Sequence, residues 1–84
     1  MDSLDLEVLK RANNWVAEGK KVYLATVART FGSAPRPVGS LMTINVDDGL
    51  ILGSVSGGCI EDDINRRVQA GEWANVTKAI SLSY

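Results

Sequence analysis

The segment LMTINVDDGLILGSV, residues 41–55, constrains the fold more than any other part of the sequence. It contains the pair Asp48-Gly49 between two apolar stretches, and an Asp-Gly pair suits the positive φ angles of a type I′ turn. A turn at this pair predicts an antiparallel β-hairpin in which Val46 faces Ile51. The apolar side chains of the hairpin then share one face, which we expect to be the core face. They are Met42, Ile44, Val46, Ile51 and Val55.

Two other segments have the apolar spacing of amphipathic helices. The first covers residues 3–18 and closes at Gly19. Its apolar positions are Leu4, Val8, Leu9, Ala12, Trp15 and Val16. The second begins at Cys59 and ends near Ala70, where a glycine follows. Its apolar stripe consists of Ile60, Ile64 and Val68.

The remaining segments complete a single domain over residues 1–84. The apolar run at 22–28 predicts a buried strand, and the proline- and glycine-containing stretch at 29–40 predicts a structured loop. Residues 75–84 are a candidate last strand. The order helix, strand, loop, hairpin, helix, strand predicts an α+β fold, in which two helices pack against a small mixed sheet.

Composition excludes several classes of function. The 84 residues include no histidine and one cysteine, so a Ser-His-Asp triad, a Cys-His pair and a structural zinc site are excluded. A net charge of -1 indicates no nucleic-acid partner. The first residues lack the pattern of a signal peptide, and no apolar run reaches membrane-spanning length. With a single thiol and no internal disulfide, we expect a cytoplasmic protein.

The strongest candidate site is the stretch GSVSGGCIEDD, residues 53–63. A predicted strand ends at Ser56, Gly57 and Gly58, and the second helix begins at Cys59. The first N–H groups of a helix have no partner within it and carry the positive end of the helix dipole. Glycines allow a ligand to approach the backbone closely. This turn therefore suits an anion such as a phosphate.

The single thiol, Cys59, has opposing influences around it. The helix N-terminus favours a thiolate. Three acids follow and oppose one: Glu61, Asp62 and Asp63. The sequence leaves the balance open, and it also leaves open that Cys59 is a small buried apolar residue. Arg29 and Arg36 are candidate anion partners if their loop folds over the turn, or otherwise solvated loop residues.

Three motifs in this order resemble the N-terminal domain of the XdhC/CoxI family, the accessory factors of xanthine dehydrogenase. They are GSAPRPVGSLM at 32–42, DG at 48–49 and GSVSGGCIED at 53–62. The resemblance implies a chaperone, not a turnover enzyme, that holds the molybdenum cofactor during sulfuration and passes it to a molybdenum hydroxylase. It implies a cofactor site at Gly57, Gly58, Cys59 and Arg36.

The implied cofactor suits the chemistry of the turn, because molybdopterin carries a phosphate and coordinates its metal through sulfur. We therefore expect the phosphate at the helix N-terminus and Cys59 near the molybdenum. Expected partners are a molybdenum hydroxylase apoenzyme, a cysteine desulfurase and a second copy of this small chain in a homodimer. Family members usually continue into a second, Rossmann-like domain, and we expect residues 1–84 to form the N-terminal domain without it.

Two other functions are compatible with the sequence. One is a nucleotide-binding component of an oxidoreductase, although no GxGxxG motif follows a predicted strand. The other is a structural half-domain that mediates dimerisation, in which Cys59 has no role.

Overall fold

The chain forms two helices and a three-stranded sheet in a computed structural model that describes residues 3–28, 36–56 and 59–82. In chain order the elements are α1 (Ser3–Ala17), β1 (Val22–Thr26), β2 (Leu41–Asn45), β3 (Ile51–Gly53) and α2 (Cys59–Gln69). The predicted α+β fold is confirmed. The described strands pair in the order β1-β2-β3 and are all antiparallel, whereas we expected a mixed sheet. Within the described residues, no helix has the length and apolar character needed to cross a membrane.

The central strand β2 organises the core. All its residues are buried, and because successive residues of a strand face opposite sides, both faces of the strand must be covered. Met42 and Ile44 pack with Ile64 and Val68 of α2 in one apolar cluster. Helix α1 contacts all three strands and covers the other face. The two helices thus lie on opposite sides of the sheet.

Helix α1 is fixed to the sheet by a buried carboxylate as well as by apolar contacts. Its buried side chains are Asp5, Val8 and Trp15. The Asp5 carboxylate accepts a hydrogen bond from the N–H of Leu41 at 3.1 Å, where β2 begins. This bond turns Asp5 towards the sheet, so part of the predicted apolar stripe is displaced into solvent. The large apolar residues of the helix that are exposed are Leu4, Leu6 and Val16.

Strand β1 is an edge strand. The prediction of a strand here is confirmed, but the prediction that it is buried is wrong, because only β2 pairs with it among the described residues. Tyr23 pairs with Ile44 and packs against the α2 side of the core. Leu24 points to the other side and is 53% exposed. Apolar composition alone does not distinguish an edge strand from a central one.

The predicted β-hairpin is confirmed, and its predicted register is wrong by two residues. Ile51 pairs with Ile44, not with Val46. Gly49 has a φ of 76°, but no described residue other than glycine has a positive φ, so Asp48-Gly49 does not form a type I′ turn. The five predicted apolar residues nevertheless all contribute to the apolar cluster.

A longer loop replaces the two-residue turn because its polar side chains bind the loop backbone. The Asn45 side chain accepts a hydrogen bond from the N–H of Asp47 at 3.0 Å, and the Asp48 carboxylate accepts one from the N–H of Leu50 at 3.0 Å. The N–H of Gly49 then reaches the carbonyl of Asn45 at 2.8 Å. Such local bonds give the chain an alternative to the strand ladder.

The segment after α2 contains no strand over its described part, residues 70–82, so the predicted last strand is wrong there. It is bound instead by side chains of β1 and of Lys21, the residue before β1. The Tyr23 hydroxyl donates to the carbonyl of Trp73 at 2.8 Å, and the two rings meet edge to face. Lys21 Nζ donates to the carbonyl of Ala74 at 3.2 Å.

Candidate functional site

The candidate site begins where β3 ends, at Gly53. This residue has a φ of 91°, a region that glycine adopts freely and other residues rarely do. A Cβ there would lie 2.3 Å from the carbonyl oxygen of Leu41 and 2.6 Å from Cγ2 of Val8. The next residue, Ser54, donates its N–H to the same Leu41 carbonyl at 3.1 Å. The start of the loop is therefore held tightly against α1 and β2.

The loop from 54 to 56 closes around the carboxylate of Glu61. Oε1 accepts hydrogen bonds from the Ser54 hydroxyl at 3.0 Å, the Val55 N–H at 2.8 Å and the Ser56 N–H at 2.5 Å. Oε2 accepts one from the Ser56 hydroxyl at 2.7 Å. Glu61 is only 7% exposed. A first-turn acid thus reaches back beyond the ordinary cap and binds the connection between strand and helix.

These bonds change what Ser56 offers to a ligand. Both its N–H and its hydroxyl proton are donated to Glu61, and the N–H of Val55 is donated there as well. An anion at these donors would have to displace the buried carboxylate. Val55 and Ser56 therefore cannot give their N–H groups to an anion without losing their bonds to Glu61. Gly57 and Gly58, which we predicted to contact the cofactor, lie outside the described residues.

Cys59 is exposed at the first position of α2. The alternative of a small buried residue is therefore excluded. Successive residues of a helix are about 100° apart, so Cys59 and Glu61 are separated by about 200° around the axis. Burial of Glu61 beneath the loop consequently turns the thiol towards solvent.

The acids that follow Cys59 have different surroundings. Glu61 accepts the loop hydrogen bonds described above. Asp63 forms ion pairs with Arg66 and Arg67. Asp62 is exposed. Two of the three acids are therefore paired with donors or cations. Among the described residues, no group of three or more Cys, Asp or Glu side chains is placed to hold a metal ion.

Arg36 lies over this loop, and its role as an anion partner stays a prediction. The segment that carries it is tied to the end of β1, because Val27 N–H donates to Ser40 at 3.0 Å and Gly39 N–H donates to Val27 at 2.8 Å. Arg36 Nε donates to the carbonyl of Ser54 at 3.4 Å. Its Nη2 atom is buried, and within the described residues it has no hydrogen-bond partner. Arg29, the other predicted partner, lies outside those residues.

A second group of charges lies towards the C-terminal end of α2 and shares Asp63 with the candidate stretch. Arg67 donates to Glu72 and stacks 4.9 Å from the centre of the Trp73 ring. The hydrogen bond from Arg67 lowers the pKa of the exposed Glu72 carboxyl, against a smaller opposing effect of desolvation. A shallow depression here is lined by Asp63, Arg66, Arg67, Ala70 and Glu72. Its charges are already paired with one another.

The sequence identified Arg36 and Cys59 as candidates but did not identify Ser54 or the full role of Glu61. The available signal was the position of Glu61, since an acid in the first turn of a helix often binds backbone N–H groups upstream. The number of donors it binds depends on how β3 delivers the loop. That tertiary detail has no local signature in the sequence.

Comparison with known proteins places the chain in one family. No curated protein matches it. Residues 15–76 match the sequence model of the XdhC and CoxI family. The matched stretch is most of the chain and includes the sheet, the loop at 54–56 and all of α2. The resemblance carried by the three sequence motifs is thus confirmed, and the chain belongs to the XdhC and CoxI family.

Proposed function

We propose that this chain binds the molybdenum cofactor through its molybdopterin part and acts as a maturation factor for a molybdenum hydroxylase such as xanthine dehydrogenase. Family membership indicates involvement in the maturation of xanthine dehydrogenase or CO dehydrogenase. The finer role, a chaperone that holds the cofactor during sulfuration and insertion, is our proposal. We also propose that a cysteine desulfurase is the sulfur donor.

The observation that carries the proposal is that the loop at 54–56 has a buried guanidinium donor of Arg36 on one side and leads into the helix that begins with the exposed thiol of Cys59. Arg36 is held by its Nε atom on the Ser54 carbonyl, which leaves the buried Nη2 without a described partner. A guanidinium donates two N–H groups side by side and suits a phosphate. A thiol such as Cys59 is a soft ligand that suits a sulfur-coordinated metal. The residues present therefore fit the cofactor.

When bound, the cofactor supplies a phosphate and a molybdenum atom coordinated by sulfur. In the proposed complex Arg36 would hold the phosphate, and Cys59 would lie at the metal centre or carry, as a persulfide, sulfur received from the persulfide of a cysteine desulfurase. Glu61 keeps the loop between them in place. Ser56 contributes mainly through its hydrogen bonds to Glu61, so we assign it a supporting role in a site for which it had been a predicted ligand.

Thermal unfolding of the purified full chain under anaerobic conditions tests the proposal, with separate samples containing molybdenum cofactor, ADP, NAD⁺ or no ligand. A ligand that binds only the folded state raises Tm, so we expect a rise with the cofactor alone. A rise with the nucleotides alone would favour the oxidoreductase component. No rise with any ligand would favour a structural dimerisation domain.

The role of Arg36 is tested by Arg36→Gln, with Arg66→Gln as the matched control. Arg66 is an exposed arginine on α2 whose described ion pair is with Asp63. Loss of a charge-assisted hydrogen bond costs about 1.5–3 kcal/mol, which corresponds to about a tenfold or greater loss of cofactor affinity. We expect this loss for the Arg36 variant only. Equal affinities for the two variants would remove Arg36 from the site.

The role of Cys59 is tested by alkylation, which is specific because the chain has no other cysteine. The exposed thiol should react in the folded protein, and saturating cofactor should slow the reaction. Cys59→Ser should fold normally and transfer less sulfurated cofactor to an apo molybdenum hydroxylase. Labelling that is indifferent to the cofactor would show that the thiol lies outside the binding site.

A further inference from the structure

The connection between β3 and α2 is built around one buried carboxylate. Glu61 accepts hydrogen bonds from the side chain or backbone of Ser54, Val55 and Ser56, and both of its oxygens are used. Three consecutive residues are thereby fixed to the first turn of the helix that follows them. A capping box binds the backbone N–H of the cap residue, whereas Glu61 binds two N–H groups further upstream and two hydroxyls, so this arrangement extends beyond capping.

The position of Glu61 also determines the direction of the thiol. Cys59 and Glu61 lie about 200° apart around α2, so the helix cannot bury the carboxylate under the loop and bury the thiol at the same time. The first turn of α2 cannot rotate without breaking the bonds to Val55 and Ser56. The orientation of the thiol is consequently coupled to the position of the loop.

The same bonds determine where Arg36 lies. Its Nε atom donates to the carbonyl of Ser54, and the hydroxyl of Ser54 donates to Glu61. A continuous set of hydrogen bonds therefore runs from the guanidinium, through Ser54, to the helix that carries Cys59. The Arg36 guanidinium is bound to Ser54, which binds Glu61, and Cys59 lies two residues before Glu61 on the same helix.

We propose that Glu61 is a positioning residue that fixes the Cys59 thiol and the Arg36 guanidinium relative to each other through the loop at 54–56. The inference rests on the proposed function only in assigning the Cys59 thiol a role at the cofactor. The geometric part, that the carboxylate fixes the loop and the orientation of the thiol, stands on the hydrogen bonds alone.

Two substitutions separate the reach of Glu61 from its charge. Glu61→Asp keeps the charge and shortens the side chain by one methylene group, so the carboxylate no longer reaches Val55 and Ser56. Glu61→Gln keeps the reach and an acceptor oxygen, and the Ser56 hydroxyl can rotate to accept from the amide. Asp62→Asn is the matched control, because it removes a neighbouring acid that is exposed.

Two measurements on the ligand-free full chain report on positioning. The first is the native-state hydrogen exchange of the Val55 and Ser56 amides, compared with amides of β2. The second is the alkylation rate of Cys59 in buffer divided by its rate in denaturant. A fixed thiol gives a ratio different from one, whereas a thiol on a disordered segment gives a ratio near one. A global loss of stability would raise exchange in β2 as well.

We expect Glu61→Asp to lower the protection of the two loop amides about tenfold or more, while β2 keeps its protection, and to move the alkylation ratio towards one. Glu61→Gln should retain most of both properties, and Asp62→Asn should retain them fully. If Glu61→Asp does not fold, the double variant Ser54→Ala/Ser56→Ala removes the two hydroxyl donors and should loosen the same loop.

Wild-type exchange and labelling in Glu61→Asp would overturn the proposal, and so would a ratio of one in the unmodified chain. An equal effect of Asp62→Asn would also overturn it, because the cause would then be charge and not position. No cofactor enters these measurements. A failure of the proposed function would appear in the binding experiments with Arg36→Gln and leave these results unaffected.

Discussion

Replacing Gly53 with alanine should destabilise the fold strongly, because the added Cβ is unfavourable both for the positive φ of this residue and for its close packing. The new Cβ would lie 2.3 Å from the Leu41 carbonyl oxygen, 2.6 Å from Val8 Cγ2 and 3.1 Å from Met42 Cα. Two of these neighbours are backbone atoms, and the Leu41 carbonyl already accepts the N–H of Ser54. Neither backbone atom can move away from the new Cβ without disturbing the pairing of β2 with β3.

The magnitude follows from these contacts. A residue with a Cβ in the left-handed region costs about 1–2 kcal/mol, and overpacking of a tight site costs about 1–3 kcal/mol. The free energy of unfolding should therefore fall by about 2–5 kcal/mol. A domain of 84 residues has a total stability of about 4–13 kcal/mol, so the loss is a large fraction of it.

Urea unfolding followed by fluorescence measures this loss, with Gly19→Ala as the matched control. Gly19 has a similar φ of 82°, but a Cβ there would meet no atom within 4 Å. The control should therefore show only the backbone cost of about 1–2 kcal/mol. Equal losses for the two variants would refute the reasoning, since the close approach of α1 and β2 to Gly53 would then contribute nothing.

Three further predictions concern the rest of the domain. Tyr23→Phe removes the hydroxyl that binds the Trp73 carbonyl and should lower the free energy of unfolding by about 1 kcal/mol, while an unchanged value would show that the bond is not formed in solution. The hydrogen bond from Arg67 lowers the pKa of Glu72 below its ordinary 4.5, so the stabilisation is present above that pH and is lost as the pH falls through the lower folded-state value. Unfolding measured across this pH range should depend less on pH in Glu72→Gln, and an unchanged slope would contradict the assignment. Light scattering at high micromolar concentration should show a homodimer, and a monomer would count against it.

The sequence predicted the elements whose signals are local. Helix α2 was expected from Cys59 to about Ala70 and is found over Cys59–Gln69, because its apolar spacing and the glycine after it are both near in sequence. Strand β1 was also recognised, but its exposure was not. The exposure depends on which strand becomes the edge of the sheet, and that is decided by the whole topology.

The predictions were wrong or incomplete where polar side chains can bind either nearby or distant backbone groups. The Asp-Gly pair predicted a two-residue turn, yet Asn45 and Asp48 bind backbone N–H groups inside a longer loop. At the candidate site, Arg36 was predicted to be an anion partner only if its loop folds over the turn. The Glu61 hydrogen bonds depend on where residues 54–56 lie after β3. The sequence therefore identified Arg36 and Cys59 as candidates but not the role of Glu61 in binding the loop beside them.

The placement of the helices on opposite sides of the sheet has a spectroscopic consequence. Trp15 is buried on α1, whereas Trp73 packs against the cluster formed with α2, so each layer contains one tryptophan. Trp15→Phe and Trp73→Phe leave one tryptophan each, and selective excitation of tryptophan allows the two layers to be followed separately during unfolding. Because β2 is shared by both layers, the two emission changes should coincide at one denaturant concentration, as two-state unfolding requires.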